Sequence, residues 1–235
     1  ADTEVKAWWE NYVKGSAPFY GVRMAQIRKE VHNWYSENNI SEAFTTEQQK
    51  SFASDLIRKE YSEEKLAGIL LLHEILLPAG YIIWHKDLPV FADYFHSGHI
   101  YDWNLCDWFC VKLLSDLIKE NEFACADTIC NWHTAENLWQ ARASVVSFVY
   151  NTSNEDYHPI IIQAAGVIIQ RPERFAKTAV GWLLRELSQV KKNLVTSFIN
   201  EYLPFFTSEV LKNSIKNLSE NERAQYKIRW KQTRK

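Results

Sequence analysis

Trp103 and Asp107 lie in the segment YDWNLCDW and are four residues apart, which places both side chains on the same side of one helix. An aromatic face beside a carboxylate is suited to attracting a cationic group. Asp107 is therefore a residue of interest, although composition and spacing alone indicate only a soluble helical repeat protein. The same residue also fits a structural explanation, in which Asp107 pairs within the helix with a basic residue such as Lys112 or binds the end of a neighbouring helix.

Two later segments carry similar combinations of residues. In NLWQARAS, Arg142 stands among small and apolar neighbours, and in AVGWLLRE, Trp182 and Arg185 share one helix face. Gly181, in the second of these segments, permits close approach of a neighbouring helix. Each feature also has a structural explanation, because tryptophans on amphipathic helices are mostly core residues and a buried arginine can close an ion pair.

The elements that must position these residues are predicted to be helices. The chain of 235 residues contains only 7 glycines and 6 prolines. Tandem short strands need frequent turn residues, so this composition disfavours an all-β fold. Apolar residues recur at steps of three and four, as at Met24, Ile27, Val31 and Trp34. This periodicity and the capping residues predict about a dozen helices, near residues 3–14, 22–37, 46–60, 63–77, 88–96, 103–120, 123–131, 136–151, 157–170, 172–189, 192–203 and 207–218.

Candidate capping residues mark where several of these helices begin. Thr45 or Thr46, Ser62, and Thr207 or Ser208 each precede a helical segment and can accept the amides of its first turn. Their hydroxyl groups support the predicted boundaries.

Short polar connectors between the helices predict antiparallel neighbours, and a series of such pairs forms an α-α superhelix, or solenoid. The pair spacing of roughly 35–45 residues matches HEAT-like repeats. A compact bundle without repeats is the structural alternative. We expect one domain over residues 1–218, followed by a basic C-terminal tail at 219–235, for which a solvated and partly disordered tail is an equal alternative.

The charge distribution is uneven although the net charge is −2. That net charge argues against a surface that is basic all round, but phosphate binding needs only one basic face. Basic residues are concentrated between 171 and 192 and again after 212. No apolar run approaches the roughly 20 residues that span a bilayer, and no secretory signal is evident. We therefore expect a soluble intracellular protein without membrane contact.

The four cysteines fit a reducing compartment, in which thiols serve as small core residues. A more specific alternative is a zinc site formed by Cys106, Cys110, Cys130 and His133. The apolar neighbours of Cys106 and Cys110 disfavour it, because such surroundings raise the pKa of a thiol. We expect neither a metal nor a cofactor.

The candidate segments resemble those of the HEAT-like-repeat DNA alkylation repair glycosylases, the AlkD type. The resemblance covers residues 19–190, and its four elements occur in the order and at the spacing of the family. They are Trp103 and Asp107 in DWNLCD, Trp139 and Arg142 in LWQARA, Trp182, Arg185 and Glu186 in TAVGWLLRE, and Phe19, Gly21, Val22 and Arg28 in FYGVRMAQIRK.

The resemblance implies a concave, basic solenoid that binds duplex DNA and excises bases alkylated at ring nitrogens, such as 3-methyladenine and 7-methylguanine. Glycoside hydrolysis usually takes two carboxyl groups. A purine alkylated at N3 or N7 is already a cation and leaves as a neutral base, so one carboxylate suffices. Asp107 then stabilises the developing charge on the deoxyribose and activates a water.

The resemblance also implies roles for the other candidates. Trp103 and Trp182 contact the cationic nucleoside, and Arg142 holds a backbone phosphate. Arg185 either contacts a phosphate or closes a structural ion pair. The expected state is a monomer without cofactor, in the cytoplasm with the nucleoid of a bacterium or in the nucleus of a eukaryote.

The sequence departs from the family pattern at several positions. Arg23 and Met24 follow Val22 where the family tends to have polar residues and then proline, so Arg23 is a candidate DNA contact on its charge alone. The bulky Trp108 follows Asp107, and it either narrows the site or packs inward. Asp102 is a rival carboxylate that precedes the helix and lies off the face of Trp103 and Asp107.

A second class of function fits the same residues. In it the chain is a non-catalytic helical-repeat protein that binds structured DNA or a protein partner. Trp108 and Met24, the departures from the family pattern, are the features that favour this alternative.

Overall fold

The structure, a computed structural model, describes residues 1–233, and within this range it contains helices and turns but no β-strand. The predicted all-α class is confirmed. The chain forms two compact units, Ala1–Leu113 and Leu114–Lys235.

The first unit contains seven α-helices within its described residues. They are α1 (Thr3–Tyr12), α2 (Met24–Glu37), α3 (Ile40–Ala43), α4 (Thr46–Arg58), α5 (Ser62–Leu70), α6 (Trp84–His96) and α7 (Trp103–Trp108). A π-helical segment, Leu71–Leu76, continues α5, and another, Phe109–Leu114, continues α7. Helix α5 is central to the packing, because α2, α4 and α7 all contact it.

The second unit contains eight α-helices within its described residues. They are α8 (Ser115–Glu120), α9 (Phe123–Cys130), α10 (Leu138–Val146), α11 (His158–Ile168), α12 (Arg174–Leu187), α13 (Lys192–Tyr202), α14 (Ser208–Ser214) and α15 (Glu220–Gln232). Helices α10, α12 and α14 pack side by side in one layer, and α9, α11 and α13 contact one another in sequence in a second layer. This alternation is the packing expected of stacked helix pairs.

Side-chain caps explain why several helices begin where they do. Thr45 accepts the amide of Gln48 while the Gln48 side chain accepts the amide of Thr45, and Thr207 accepts the amide of Val210. Both threonines were predicted caps. At α5 the capping position is Tyr61 rather than the predicted Ser62, and the Glu64 carboxylate accepts the Tyr61 amide.

Two glycines allow helices to pack closely. A β-carbon at Gly68 would lie 2.6 Å from the carbonyl oxygen of Ala53, so the glycine is what lets α5 approach α4. At Gly181 on α12, a β-carbon would lie 3.3 Å from the side chain of Val210 on α14. The close helix approach predicted at Gly181 is confirmed.

The structure and the predicted helices differ mainly at boundaries. Helix α6 begins at Trp84 rather than near residue 88, and its Pro89 lies inside the helix. Residues 220–232, within the predicted basic tail, form α15, whose first turn is capped by Ser219 and Glu222. Residues 234 and 235 of that tail lie outside the described residues. In the part of the chain that is described, every helix is too short or too polar to cross a membrane.

Candidate functional site

The segment that begins α7 is held by Asp102. One carboxylate oxygen of Asp102 accepts the amide of Leu105 at 2.8 Å, and the other accepts the hydroxyl of Ser16 at 3.1 Å. Asp102 is 2% exposed, and burial raises the pKa of its carboxyl group. The rival carboxylate is therefore a helix cap, which fixes the first turn of α7.

Trp103 and Asp107 lie one turn apart on this capped helix, and both residues are partly exposed. The ring of Tyr12 meets the ring of Trp103 edge to face at 4.8 Å. Tyr12 in turn stacks on Trp8 at 5.0 Å. The sequence did not single out this aromatic support, although Trp8 and Tyr12 are four residues apart on α1.

Trp108, the bulky residue that follows Asp107, is also partly exposed. The ammonium group of Lys112 lies 5.8 Å from the centre of its ring, within the range of a cation–π contact. Trp108 thus keeps part of its surface accessible and brings a positive charge to the same stretch of helix.

The π-helical segment Phe109–Leu114 begins two residues after Asp107. Phe109 is fully buried, and the rings of Phe91, Tyr94 and Phe95 surround it edge to face. Such π-helical turns occur frequently at functional sites. Here the π-helical turn connects the partly exposed residues of α7 to a buried aromatic cluster.

The N-terminal element of the motif set forms a tight turn around Glu63. This buried carboxylate accepts the amides of Tyr20, Gly21 and Val22 at 2.8–3.0 Å. Gly21 has φ +96°, and a β-carbon there would collide with the carbonyl oxygen of Asp2. The backbone conformation and the close contact therefore require glycine at this position. The exposed Arg23 follows shortly after the turn.

Trp182 lies on α12 in the second unit and is partly exposed. The ring of Tyr150, itself 57% exposed, meets it edge to face at 6.4 Å. The indole nitrogen of Trp182 is buried and has no hydrogen-bond partner among the residues that the structure describes. Tyr150 was not predicted as a site residue, and only its proximity in the fold reveals it.

Arg142 is 4% exposed. Its guanidinium group donates to the carbonyl oxygen of Phe175 at 2.6 Å and to the hydroxyl of Thr178 at 3.2 Å. Both acceptors belong to α12, the helix that carries Trp182. Arg142 thus ties α10 to α12, and the phosphate contact expected for it stays a prediction.

Arg185 forms an ion pair with its neighbour Glu186 and donates to the side chain of Asn213 at 3.3 Å. The structural ion pair named as the alternative for Arg185 is therefore present. Its phosphate contact stays a prediction.

Most of the basic stretch between residues 171 and 192 is paired with carboxylates of the second unit. The pairs are Arg171–Glu173, Arg174–Glu209, Arg185–Glu186, Lys191–Glu155 and Lys192–Glu222. The clustered positive charge seen in the sequence is thus largely neutralised in the fold.

The cysteines are buried in apolar surroundings. Burial raises the pKa of both Cys125 and Cys130 to about 12. Because zinc binds the thiolate, these surroundings oppose the zinc site weighed as an alternative. Among the described residues, no cluster of histidine, cysteine and carboxylate side chains is arranged to hold a metal ion.

Comparison with known proteins defines the class of the chain. The family model described as DNA alkylation repair enzyme matches residues 1–218. The chain belongs to this family, which supports a role in DNA alkylation repair and DNA as the partner.

A solved structure described as a predicted DNA alkylation repair enzyme from Enterococcus faecalis has the same fold. It superposes with a TM-score of 0.78 over 93% of this chain and 97% of that chain, at 18% sequence identity. No curated protein matches the sequence significantly.

Proposed function

We propose that the protein is a DNA glycosylase that hydrolyses the N-glycosidic bond of purines alkylated at N3 or N7 in duplex DNA. The proposal rests mainly on the position of Asp107. Its carboxylate is partly exposed and lies one turn from Trp103 on α7, and the buried carboxylate of Asp102 caps the start of this helix. The family of the chain supplies the context of alkylation repair.

In the proposed reaction, a water oxygen forms a bond to C1′ of the deoxyribose while the bond from C1′ to the purine nitrogen breaks. The bonding electron pair returns to the alkylated base, which was a cation and leaves neutral. No acid is needed to protonate it. Asp107 stabilises the positive charge that develops on the sugar and takes a proton from the attacking water. The products are the free base and an abasic site in the DNA.

The aromatic residues attract the cationic nucleoside in this proposal. Trp103 and Trp182 each present an indole ring, and a cation over such a ring gains about 0.5–2 kcal/mol. Arg142, Arg185 and Arg23 are the proposed phosphate contacts. Arg23 has the most accessible side chain of the three, whereas Arg142 and Arg185 already bond to neighbouring groups.

Substitution of Asp107 by asparagine tests the mechanism. The amide keeps the shape of the side chain but carries no charge and takes no proton, so Asp107→Asn should slow release of 7-methylguanine by about 10²-fold or more. The measurement is single-turnover excision from a duplex that contains one 7-methylguanine.

The exposed Asp156→Asn is the matched control and should excise at the wild-type rate. Equal rates for the wild-type protein and Asp107→Asn would refute the mechanism.

A non-catalytic binder of structured DNA or of a protein partner is the second candidate. Trp108 favours it, because this ring and the ammonium group of Lys112 occupy the surface next to Asp107. A wild-type protein that binds branched DNA but releases no alkylated base would support this candidate over the glycosylase.

A further inference from the structure

The first unit contains a cavity of about 360 Å³ between α1 and the beginning of α2. Its lining residues are Glu4, Val5, Trp8, Trp9, Arg23 and Met24. We propose that this cavity binds one unstacked nucleotide of DNA, with the base on Trp8 and the phosphate on Arg23. The inference rests on the proposed function for its DNA partner and adds a second nucleotide site to it.

Trp8 has the properties of a stacking platform. It is 57% exposed, although large apolar rings are usually covered. Tyr12 stacks on the Trp8 ring at an interplanar angle of 11° and so holds its orientation. Because the ring is already oriented, a base that stacks on it incurs little ordering cost.

Trp9 anchors this platform to the core. Its ring stacks on the fully buried Phe19 with centroids 5.4 Å apart and an interplanar angle of 1°. The wall of the cavity next to Trp8 is therefore packed against the core.

The cavity is lined by one basic residue, Arg23, and one acidic residue, Glu4. Arg23 is exposed, and its planar guanidinium group matches the oxygen atoms of a phosphate. Glu4 can accept a hydrogen bond from a base amino group and repels phosphate, which favours one orientation of the nucleotide. A volume of about 360 Å³ lies at the lower end of small-ligand sites, as expected for a single nucleotide.

An unpaired nucleotide fits this site better than duplex DNA does. A base inside a duplex is covered on both faces by its neighbours and cannot offer a face to Trp8, whereas a displaced base can. The platform is also continuous with the candidate site, because Tyr12 contacts both Trp8 and Trp103. A nucleotide displaced close to a lesion is the occupant that we expect.

Binding to two labelled duplexes tests this inference. They share one sequence, and one of them carries a single extra unpaired thymidine. Fluorescence anisotropy at one salt concentration should show that the wild-type protein prefers the bulged duplex by about fivefold to a hundredfold, the range that stacking of one base provides.

Trp8→Ala should lose this preference and keep the affinity for the fully paired duplex. Phe123→Ala removes an aromatic residue of similar exposure on α9 and should keep the preference. Thermal unfolding of each variant verifies that it is folded.

Equal affinity of the wild-type protein for both duplexes, or an unchanged preference in Trp8→Ala, would overturn the inference. Excision of 7-methylguanine, measured in parallel, separates it from the proposed function. Normal excision with equal affinities contradicts the nucleotide site alone. A preference that depends on Trp8 in a protein that excises nothing supports the nucleotide site and contradicts the glycosylase.

Discussion

At the scale of single residues, Asp102 and Asp107 carry the same side chain in two different environments. The carboxylate of Asp102 is buried and bonded to an amide and a hydroxyl, and burial raises its pKa. Asp107 lies on the next turn and is partly exposed. The side chain of Asp107 is thus accessible to solvent, whereas the carboxylate of Asp102 caps the start of its helix.

Glu74 gives a pH dependence with a definite sign. Burial alone raises its pKa, but hydrogen bonds from His32 and Arg28, the latter at 2.8 Å, lower it overall. A lowered pKa stabilises the fold above the ordinary value of 4.5, and this contribution is lost as the pH falls through the lowered pKa. We expect Glu74→Gln to lower the free energy of unfolding at pH 7 by about 0.5–1 kcal/mol, since Arg28 is partly exposed.

Urea unfolding at pH 7 and pH 3 measures this effect. The difference between Glu74→Gln and the wild-type protein should shrink at the lower pH. Glu47→Gln, which removes a far more exposed carboxylate, is the control and should change stability little. A difference that is constant with pH would contradict the assignment.

At the scale of the elements, Gly68 controls how closely α4 and α5 pack. Gly68→Ala forces a β-carbon against the backbone of Ala53, so it should destabilise the protein by about 1–3 kcal/mol. Gly181→Ala places its β-carbon 3.3 Å from both the side chain and the carbonyl oxygen of Val210, a looser contact than the 2.6 Å at Gly68, and should cost less. Denaturant unfolding of both variants measures the two losses in the free energy of unfolding. A larger loss for Gly181→Ala than for Gly68→Ala would contradict the packing described.

The periodicity of the sequence predicted most helices because their apolar faces are buried, as at Ile27 and Val31 of α2. It did not predict α15, whose sequence lacks an apolar face. Only Tyr226 of that helix is buried, and the indole of Trp230 donates to the carbonyl oxygen of Phe206 at 2.8 Å. Nor did it predict the π-helical turns, because a spacing of three and four residues describes only the regular α-helix.

The candidate site was predictable where spacing within one helix defines it, as for Trp103 and Asp107. Partners from other elements were not. Tyr12 beside Trp103 and Tyr150 beside Trp182 are contacts between residues far apart in the sequence. The buried state of Arg142 likewise depends on α12, which the segment NLWQARAS does not contain.

At the scale of the whole molecule, the ion pairs of the basic stretch bear on the proposed DNA contacts. Carboxylates pair with Arg171, Arg174, Arg185, Lys191 and Lys192 of the basic stretch. Lys177, in the same stretch, donates to the carbonyl oxygens of Ile169 and Phe205. We therefore expect these residues to contribute less to phosphate binding than the sequence suggests.

The salt dependence of DNA binding tests this conclusion. Six phosphate contacts would give a slope of about −5 for the logarithm of the binding constant against that of the salt concentration, whereas the three proposed contacts give about −3. We expect the shallower slope in anisotropy titrations of an unmodified duplex between about 50 and 200 mM salt. A slope near −5 would mean that the ion pairs open on binding.

The turn around Glu63 has a consequence for how the chain holds phosphate. Three consecutive amides that converge on one point make a concave receptor for anions, the kind of nest that binds phosphate in many nucleotide-binding proteins. Here the receptor already contains an anion that belongs to the chain itself, since the Glu63 carboxylate accepts all three amides. These three amides before α2 are thus already occupied, and a phosphate at this point would have to bind side chains, such as that of the exposed Arg23.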